Sequence, residues 1–329
     1  WQTGVMTNEA LHVSKLLSKP VHLNFPFREP LYKTVVNPSQ NGQKITHFKT
    51  KKSISKEHLK SLQKKWGKHN RKMIVCGSLQ KSSSLNNILI ELNKDLSVCI
   101  LTETTSNLFH DKFISCIDRT LERINDNAKF YPEIVITIGN SIISKKLKSL
   151  LRKNKPKEHW HVEEANRAQD IFSSLTHFIP IDPEDFLKGF LDGYQSNKDS
   201  NFSNDWCLEF QKSEENHLQY LPSSKWSDLK AHYLVQKQLN GKKVNLQMGN
   251  STSIRYIQLF QQQKDLKYNS NRGVSGIDGS SSTAVGAASV SDVLTVLITG
   301  DLSFIYDQHA LWNKEVPKNL KIVVVNNQG

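Results

Sequence analysis

The sequence predicts an α/β protein built from three-layer domains, parallel sheets with helices on both faces. Three observations predict it. Short β-rich runs alternate with amphipathic helical stretches through the middle of the chain. The same alternation resumes in the last third. The later runs end in Gly, Asn and Asp, as expected where ligands sit beyond the carboxyl ends of parallel strands. With 329 residues, 37% hydrophobic and 23% charged, the chain is globular in composition and long enough for two domains that each bury a core.

The chain opens on a helical pattern, Ala10, Leu11, Val13, Leu16 and Leu17, followed by the extended run Val21-His22-Leu23-Asn24. Residues 1–32 therefore read as the end of an α/β domain most of which is missing. Pro26 and Pro30 break the run, and the polar, lysine-rich stretch 33–55 reads as a linker. A central, Rossmann-like α/β domain is expected over 56–215. Its strands are 73–76, 96–102 and 134–138, with a further one at 178–181, and Phe109, Phe113, Ile114, Ile117, Leu121 and Ile124 recur at helical spacing. The loop after the first strand, Gly77-Ser78-Leu79-Gln80-Lys81-Ser82, lacks the G-x-G-x-x-G spacing that lets backbone approach a pyrophosphate, so no dinucleotide is expected there. Residues 195–213, rich in Asn, Ser, Asp and Lys, read as a connector. The last unit, 216–329, begins with a helix carrying Leu229, Tyr233, Leu234 and Leu239, and its strands are 244–248, 295–299 and 320–325.

Several function classes are excluded or disfavoured. No stretch approaches the roughly 18 apolar residues of a membrane span, and the N-terminal order is not that of a signal peptide, so a cytoplasmic location is the default. Cys76, Cys99, Cys116 and Cys207 form no C-x-x-C pair, and the first three lie in apolar runs, which reads as buried free thiols. Zinc is the weaker reading, because His159 and His161 have no cysteine companions. The net charge of +13 is concentrated in two lysine-rich runs, 44–72 and 145–157, neither of which matches a nucleic-acid-binding signature. A solvated basic face is expected, with no nucleic-acid partner.

The strand ends carry the chemistry. Gly300-Asp301-Leu302-Ser303 stands between the strand through 299 and a helix beginning near Phe304, where unpaired N–H groups and a glycine admit a phosphate. Asp301 adds a hard oxygen ligand. Some two dozen residues later, at the end of the next strand, Asn326 and Asn327 offer amide oxygens. Magnesium takes octahedral oxygen coordination with one or two protein carboxylates, and the two loops meet that demand. Each alone is also a turn signal, Gly-Asp as a simple turn and Asn-Asn as a type I′ hairpin. Their occurrence on consecutive strands favours a metal and diphosphate site.

Gly-Asp followed at this distance by Asn-Asn resembles the signature shared by thiamine-diphosphate-dependent decarboxylases, transketolases and acetohydroxyacid synthases. Asn250-Ser251-x-x-x-Arg255, Asn271-Arg272-Gly273-Val274-Ser275-Gly276-Ile277-Asp278-Gly279 and Gly300-Asp301-Leu302-Ser303-x-x-Tyr306-Asp307 resemble one family in particular, the menaquinone-pathway synthases that join 2-oxoglutarate to isochorismate. Val21-His22-Leu23-Asn24-x-Pro26-Phe27-Arg28-Glu29-Pro30-Leu31 is similar to the close of that family's first domain. The resemblance implies the thiamine-diphosphate-binding fold around the central domain, with thiamine diphosphate and Mg2+ (or Mn2+) as cofactors. It implies the Asp301 carboxylate, the Asn327 side chain and the Gly329 carbonyl as metal ligands, and Gly300, Leu302 and Ser303 as the diphosphate loop. Ser275, Gly276 and Ile277 match the cofactor-contacting run, Ile277 propping the cofactor in its bent form.

Ser251, Arg255 and Arg272 match positions that hold substrate carboxylates, and a guanidinium fork suits a carboxylate. Lys145 and Lys146 match a Lys-Arg pair of the central domain, so Lys146 keeps the charge but loses the fork. His309 stands where the family more often has Asn. The family places the carboxylate that activates the cofactor in its first domain and works it across a subunit interface, implying a homodimer or homotetramer. This chain by itself is expected to be inactive as a synthase. Two alternatives stay open: another thiamine-diphosphate-dependent 2-oxo acid enzyme, and a basic, non-catalytic binding module, which would lose affinity steeply with salt.

Overall fold

The computed structural model describes residues 2–17, 20–27, 52–164, 168–197 and 199–328. The chain forms two compact units, Trp1–Lys52 and Ser53–Gly329. The first contains α1 (Gln2–Leu17), which carries the expected helical pattern. Residues 20–27 join no strand. A strand needs a neighbour for its N–H and C=O groups, and the described residues of this unit supply none. Residues 28–51, most of the expected linker, lie outside the described residues.

In the second unit the elements run α2 (Lys56–Gly67), β1 (Lys72–Cys76), α3 (Ser83–Leu92), β2 (Val98–Thr102), α4 (Ile117–Ile124), β3 (Ile134–Ile138), α5 (Lys145–Lys153), β4 (Glu158–Val162), β5 (His177–Ile179), α6 (Pro183–Leu191) and α7 (Phe202–Ser223). The strands form one sheet in the order β2-β1-β3-β4-β5, every pairing parallel. Alternate residues serve opposite layers, which is why these strands read as continuous apolar runs. Ile74, Cys76, Ile100, Ile136 and Trp160 pack with Trp66, Leu89, Phe186 and Phe190. Met73, Val75, Cys99, Leu101 and Val135 pack with Ile117, Leu147, Leu151 and Trp206. All four cysteines are free, and Cys76, Cys99 and Cys116 are buried.

Two parts of this unit depart from the sequence reading. The expected connector is helical from Phe202 onward, because Phe202, Trp206 and Phe210 recur every fourth residue and are buried on one core. Trp206 meets Phe130 edge-on at 5.7 Å. Asn204, Asp205 and Glu209 lie on the more exposed side. Strand β4 was not expected, since histidines stand where apolar residues are sought. His159 and His161 point to the same face and approach the Thr137 hydroxyl of β3 at 3.0 and 2.9 Å. Burial pushes His159 down to about 4, so it packs as a neutral ring.

The chain continues through α8 (Asp228–Leu239), β6 (Val244–Met248), α9 (Thr252–Ile257), β7 (Leu266–Asn269), α10 (Ser280–Ser289), β8 (Leu294–Gly300), α11 (Asp301–Tyr306) and β9 (Leu320–Val325). These strands form a second all-parallel sheet, β7-β6-β8-β9. Leu239, Ile254 and Ile257 cover one face and Ala284, Val285 and Ala288 the other. In this sheet, strand β7 lies outside the sequence expectations; only Leu266 and Tyr268 of its four residues are buried. Asn107, after β2, joins the two sheets. Its side chain donates to the Tyr268 carbonyl at 3.0 Å and accepts from the Tyr268 N–H at 2.7 Å, as a neighbouring strand would. Among the described residues no helix is long and apolar enough to cross a membrane.

Candidate active site

Ligand-facing loops of parallel sheets lie beyond the carboxyl strand ends. The first sheet brings α5, after β3, to a cleft whose other wall is α9, after β6. Lys145 and Lys146 line this cleft of about 660 Å3 together with Ser251, Thr252, Arg255 and Tyr256, and Asp118, Arg119, Glu122 and Leu259 complete its lining. Four expected carboxylate-holding residues, over 100 positions apart in sequence, thus share one space. Lys146 is ion-paired with Glu122, and Arg119 with Glu214. The fork absent from Lys146 leaves a point charge that one carboxylate engages.

The wall from β6 turns sharply. Gly249 is packed so tightly that an added Cβ would lie 2.7 Å from the Thr299 hydroxyl of β8. Ser251, the residue before α9, has φ +67° and ψ −111°, a backbone conformation that costs a side-chain-bearing residue of order 1–3 kcal/mol. Ser251→Gly is therefore expected to raise stability by about 0.5–1 kcal/mol, net of glycine's added unfolded-state freedom, while weakening anion binding. Denaturant midpoints and anion titrations on the same variant check both halves.

Asn250 organises the loop 270–279. Its amide donates to the carbonyls of Asn271 and Gly276 at 2.7 and 2.6 Å, and its oxygen accepts from Arg272 Nη1 at 2.8 Å. Arg272 does not line the cleft itself, but lies close enough to Glu103 and Arg255 to feel both charges. Burial pulls its guanidinium below the ordinary value, Glu103 opposes that, and Arg255 adds to it. Ser275 has a positive φ of 61°. Ile277 is exposed, which removes the ordinary core reading of this residue, and its carbonyl accepts from the Ser303 hydroxyl. Asp307 fixes the far end, accepting from the N–H and hydroxyl of Ser282 at 2.8 and 2.6 Å. His309 lies 3.6 Å from that carboxylate and edge-on to Trp312.

The expected metal ligands leave neighbouring strand ends. β8 and β9 pair in parallel with Gly300 opposite Val325, so Asp301 and the Asn326-Asn327 pair emerge side by side. Asn327 donates its amide to Asp228 at 3.1 Å, leaving its oxygen as the end for a cation. Leu302 is exposed, and a Cβ added to Gly300 would meet nothing within 4 Å, so the strand end has open space in front of it. Among the described residues no cluster of three or more His, Cys, Asp or Glu could hold an ion. One carboxylate with amide oxygens is the hard donor set magnesium accepts. The residues present thus fit magnesium and a diphosphate. Gly329 lies outside the described residues.

Sequence reasoning missed the organising role of Asn250, which the strand-end Gly-Asn could have signalled. It also missed Glu103, an acid directly following an apolar strand and wholly buried beside the cleft.

A family model described as the middle domain of thiamine pyrophosphate matches residues 39–244. The chain is similar to the 2-succinyl-5-enolpyruvyl-6-hydroxy-3-cyclohexene-1-carboxylate synthase of Flavobacterium psychrophilum, 41% identical over 98% of this chain and 58% of the relative. The enzyme of the same name from Flavobacterium johnsoniae is 40% identical over 100% and 59%, and that from Porphyromonas gingivalis 33% over 100% and 58%. The chain thus spans somewhat under three fifths of the length of these curated relatives. With well over half its residues matched by that model, and its parallel α/β layers in agreement, the chain belongs to the thiamine-pyrophosphate enzyme family.

Proposed function

We propose that the chain is the central and much of the C-terminal part of a synthase that decarboxylates 2-oxoglutarate and adds the four-carbon unit to isochorismate, giving the product for which its relatives are named. The observation that carries the reading is the convergence of Lys145, Lys146, Ser251 and Arg255 on one cleft. Both substrates are anionic, and 2-oxoglutarate carries two carboxylates. When bound, thiamine diphosphate supplies the nucleophilic carbon and the electron sink for this chemistry.

The chain's own residues bind and orient. Asp301 and Asn327, with the Gly329 carbonyl, would hold Mg2+ or Mn2+, while Gly300, Leu302 and Ser303 would hold the diphosphate. Ser275, Gly276 and Ile277 would contact the cofactor ring. Arg255, Arg272, Ser251, Lys145 and Lys146 would align the two polyanions, converting encounter into fixed geometry. In the same reading residues 1–32 end a pyrimidine-binding domain, 33–55 link it to a central domain at 56–215, and 216–329 belong to the diphosphate-binding domain. The intact enzyme is a cytoplasmic homodimer or homotetramer, with no nucleic-acid partner.

Arg255→Ala is expected to weaken 2-oxoglutarate binding roughly 10- to 100-fold, the equivalent of one charge-assisted hydrogen bond, with Arg255→Lys recovering only part. Calorimetric titration with 2-oxoglutarate and with pyruvate, which has one carboxylate, reads this out. Wild-type chain that prefers pyruvate would point to a different thiamine-dependent enzyme.

A further inference from the structure

We propose that Glu103 is a positioning residue of the cleft, tying the helix that carries Lys145 and Lys146 to the segment that carries Arg255, and that an anion entering the cleft draws a proton onto its carboxyl group. The second half rests on the dicarboxylate reading above.

Glu103 follows β2 at the carboxyl edge of the first sheet and is wholly buried. One carboxyl oxygen accepts from the amides of Ile143 and Ser144 at 3.0 and 2.9 Å, the two N–H groups that lead into α5. Ser144 in turn caps that helix by accepting from the Leu147 N–H at 2.9 Å. Lys145 and Lys146 are the next two residues, so this anchor sets where they start. On the opposite side the Glu103 carbonyl accepts from Gln262 Nε2 at 3.0 Å, and the Thr104 N–H donates to Gln258 Oε1 at 3.1 Å. Gln258 ends α9, the helix of Arg255. Both walls of the cleft are therefore held by one short segment.

The second carboxyl oxygen of Glu103 is buried without a well-formed hydrogen bond, although the Gln258 side chain lies near enough to favour its charged form. Asp118 faces the group from α4, Lys148 from α5 and Arg272 from the loop after β7, while Arg255 acts on both Lys148 and Arg272. Burial pushes the carboxyl up, the Ser144 amide opposes it, Asp118 adds to it, and the balance stands at about 7. At neutral pH such a group is divided between its two forms. A carboxylate from solution that engages Arg255 and Arg272 adds negative charge beside Glu103 and competes for the same cations. Both effects favour the protonated form, so binding takes up a proton and strengthens as pH falls.

The test is calorimetric titration of the full chain with 2-oxoglutarate at pH 7 in two buffers of different ionisation heat. The wild type is expected to take up at most roughly half a proton per anion bound, and E103Q none. E103Q keeps an oxygen for the Ile143 and Ser144 amides and is expected to keep most of the affinity, whereas E103A loses about 10-fold. A ligand-free measurement stands beside it. A folded carboxyl raised above its unfolded value makes the wild type lose stability relative to E103Q as pH rises from about 4.5 to about 7, and denaturant midpoints follow that gap. Equal proton uptake in wild type and E103Q would place the proton on a group other than Glu103 and overturn the coupling alone. Superimposable midpoint profiles would show that Glu103 does not titrate there. Affinity unchanged in a folded E103A would end the positioning role. Absence of any 2-oxoglutarate binding by the wild type would overturn the dicarboxylate reading and the coupling with it.

Discussion

A chain carrying Asp301→Ala is expected to bind thiamine diphosphate on the order of 100-fold more weakly in the presence of magnesium, with its fold intact. At this edge Asp301 brings the carboxylate that directly follows β8, Asn326 and Asn327 bring neutral amides, and the Asp228 carboxylate is engaged in accepting from the Asn327 amide. Removing the Asp301 charge leaves the cation chiefly to water and amide oxygens, which compete poorly with bulk solvent for an ion that dehydrates reluctantly. The cost to the fold is small. Asp301 is half-buried, and its carboxylate accepts from the Leu302 N–H at 2.8 Å, a local bond that water can replace. Titration of cofactor at fixed magnesium, with denaturant midpoints on the same samples, separates the two effects. Asp301→Asn should fall between wild type and alanine, because it keeps an oxygen and loses the charge. Unaltered magnesium-dependent binding in Asp301→Ala would move the metal to another part of the molecule.

The legibility of this edge in the sequence has a simple physical basis. β8 is buried along its middle and β9 only in part, but both are dominated by Val, Leu and Ile. The residues that follow them need special backbone or special ligands, so Gly, Asp and Asn punctuate the runs. The elements that escaped are those whose burial is one-sided or polar. β4 hides two histidines by sharing the Thr137 hydroxyl, an arrangement visible only once β3 is alongside. β7 alternates burial over just four residues, too few for a period to register. The apolar stripe of α7 is three aromatic residues in a polar sequence, and composition outweighed spacing there.

The site shows the same division. Each loop announces its own chemistry, but no local pattern reveals that the loop after β3 and the loop after β6 face each other. That meeting depends on Asn107 imitating a strand and on Glu103 and Gln258 linking two sheets, contacts between residues up to 161 positions apart. Asn250 acts likewise. A short amide side chain that satisfies two carbonyls and one guanidinium turns a glycine-rich loop into a fixed support for Arg272.

The amino edge of the first sheet includes a buried ion pair whose two halves are expected to be unequal. Asp95→Ala is expected to destabilise the chain by about 3–5 kcal/mol, and Lys72→Met by clearly less. Lys72 and Asp95 are both buried at 3.3 Å, with the Lys72 ammonium 5.9 Å from the ring centres of both Trp66 and Tyr194. Asp95 has further partners. One oxygen accepts from the Ser97 N–H and hydroxyl at 2.8 and 2.6 Å, the other from the Tyr194 hydroxyl at 2.5 Å. Truncating the aspartate strands an ammonium and three donors in the core. Replacing the lysine leaves a carboxylate that still holds those three donors, and a thioether of similar length fills the space. Burial pushes the Asp95 carboxyl up, and the hydrogen bonds from Ser97 and Tyr194 more than reverse it, so it sits below its ordinary value. The stability it contributes is therefore complete above the unfolded carboxylate value of about 4 and is lost as pH falls through the lower folded one. Urea midpoints measured from neutral pH down through that window should show the wild-type advantage over Asp95→Ala shrinking with acid. Equal costs for the two substitutions would mean that the ion pair, and not the network around the carboxylate, carries the stabilisation.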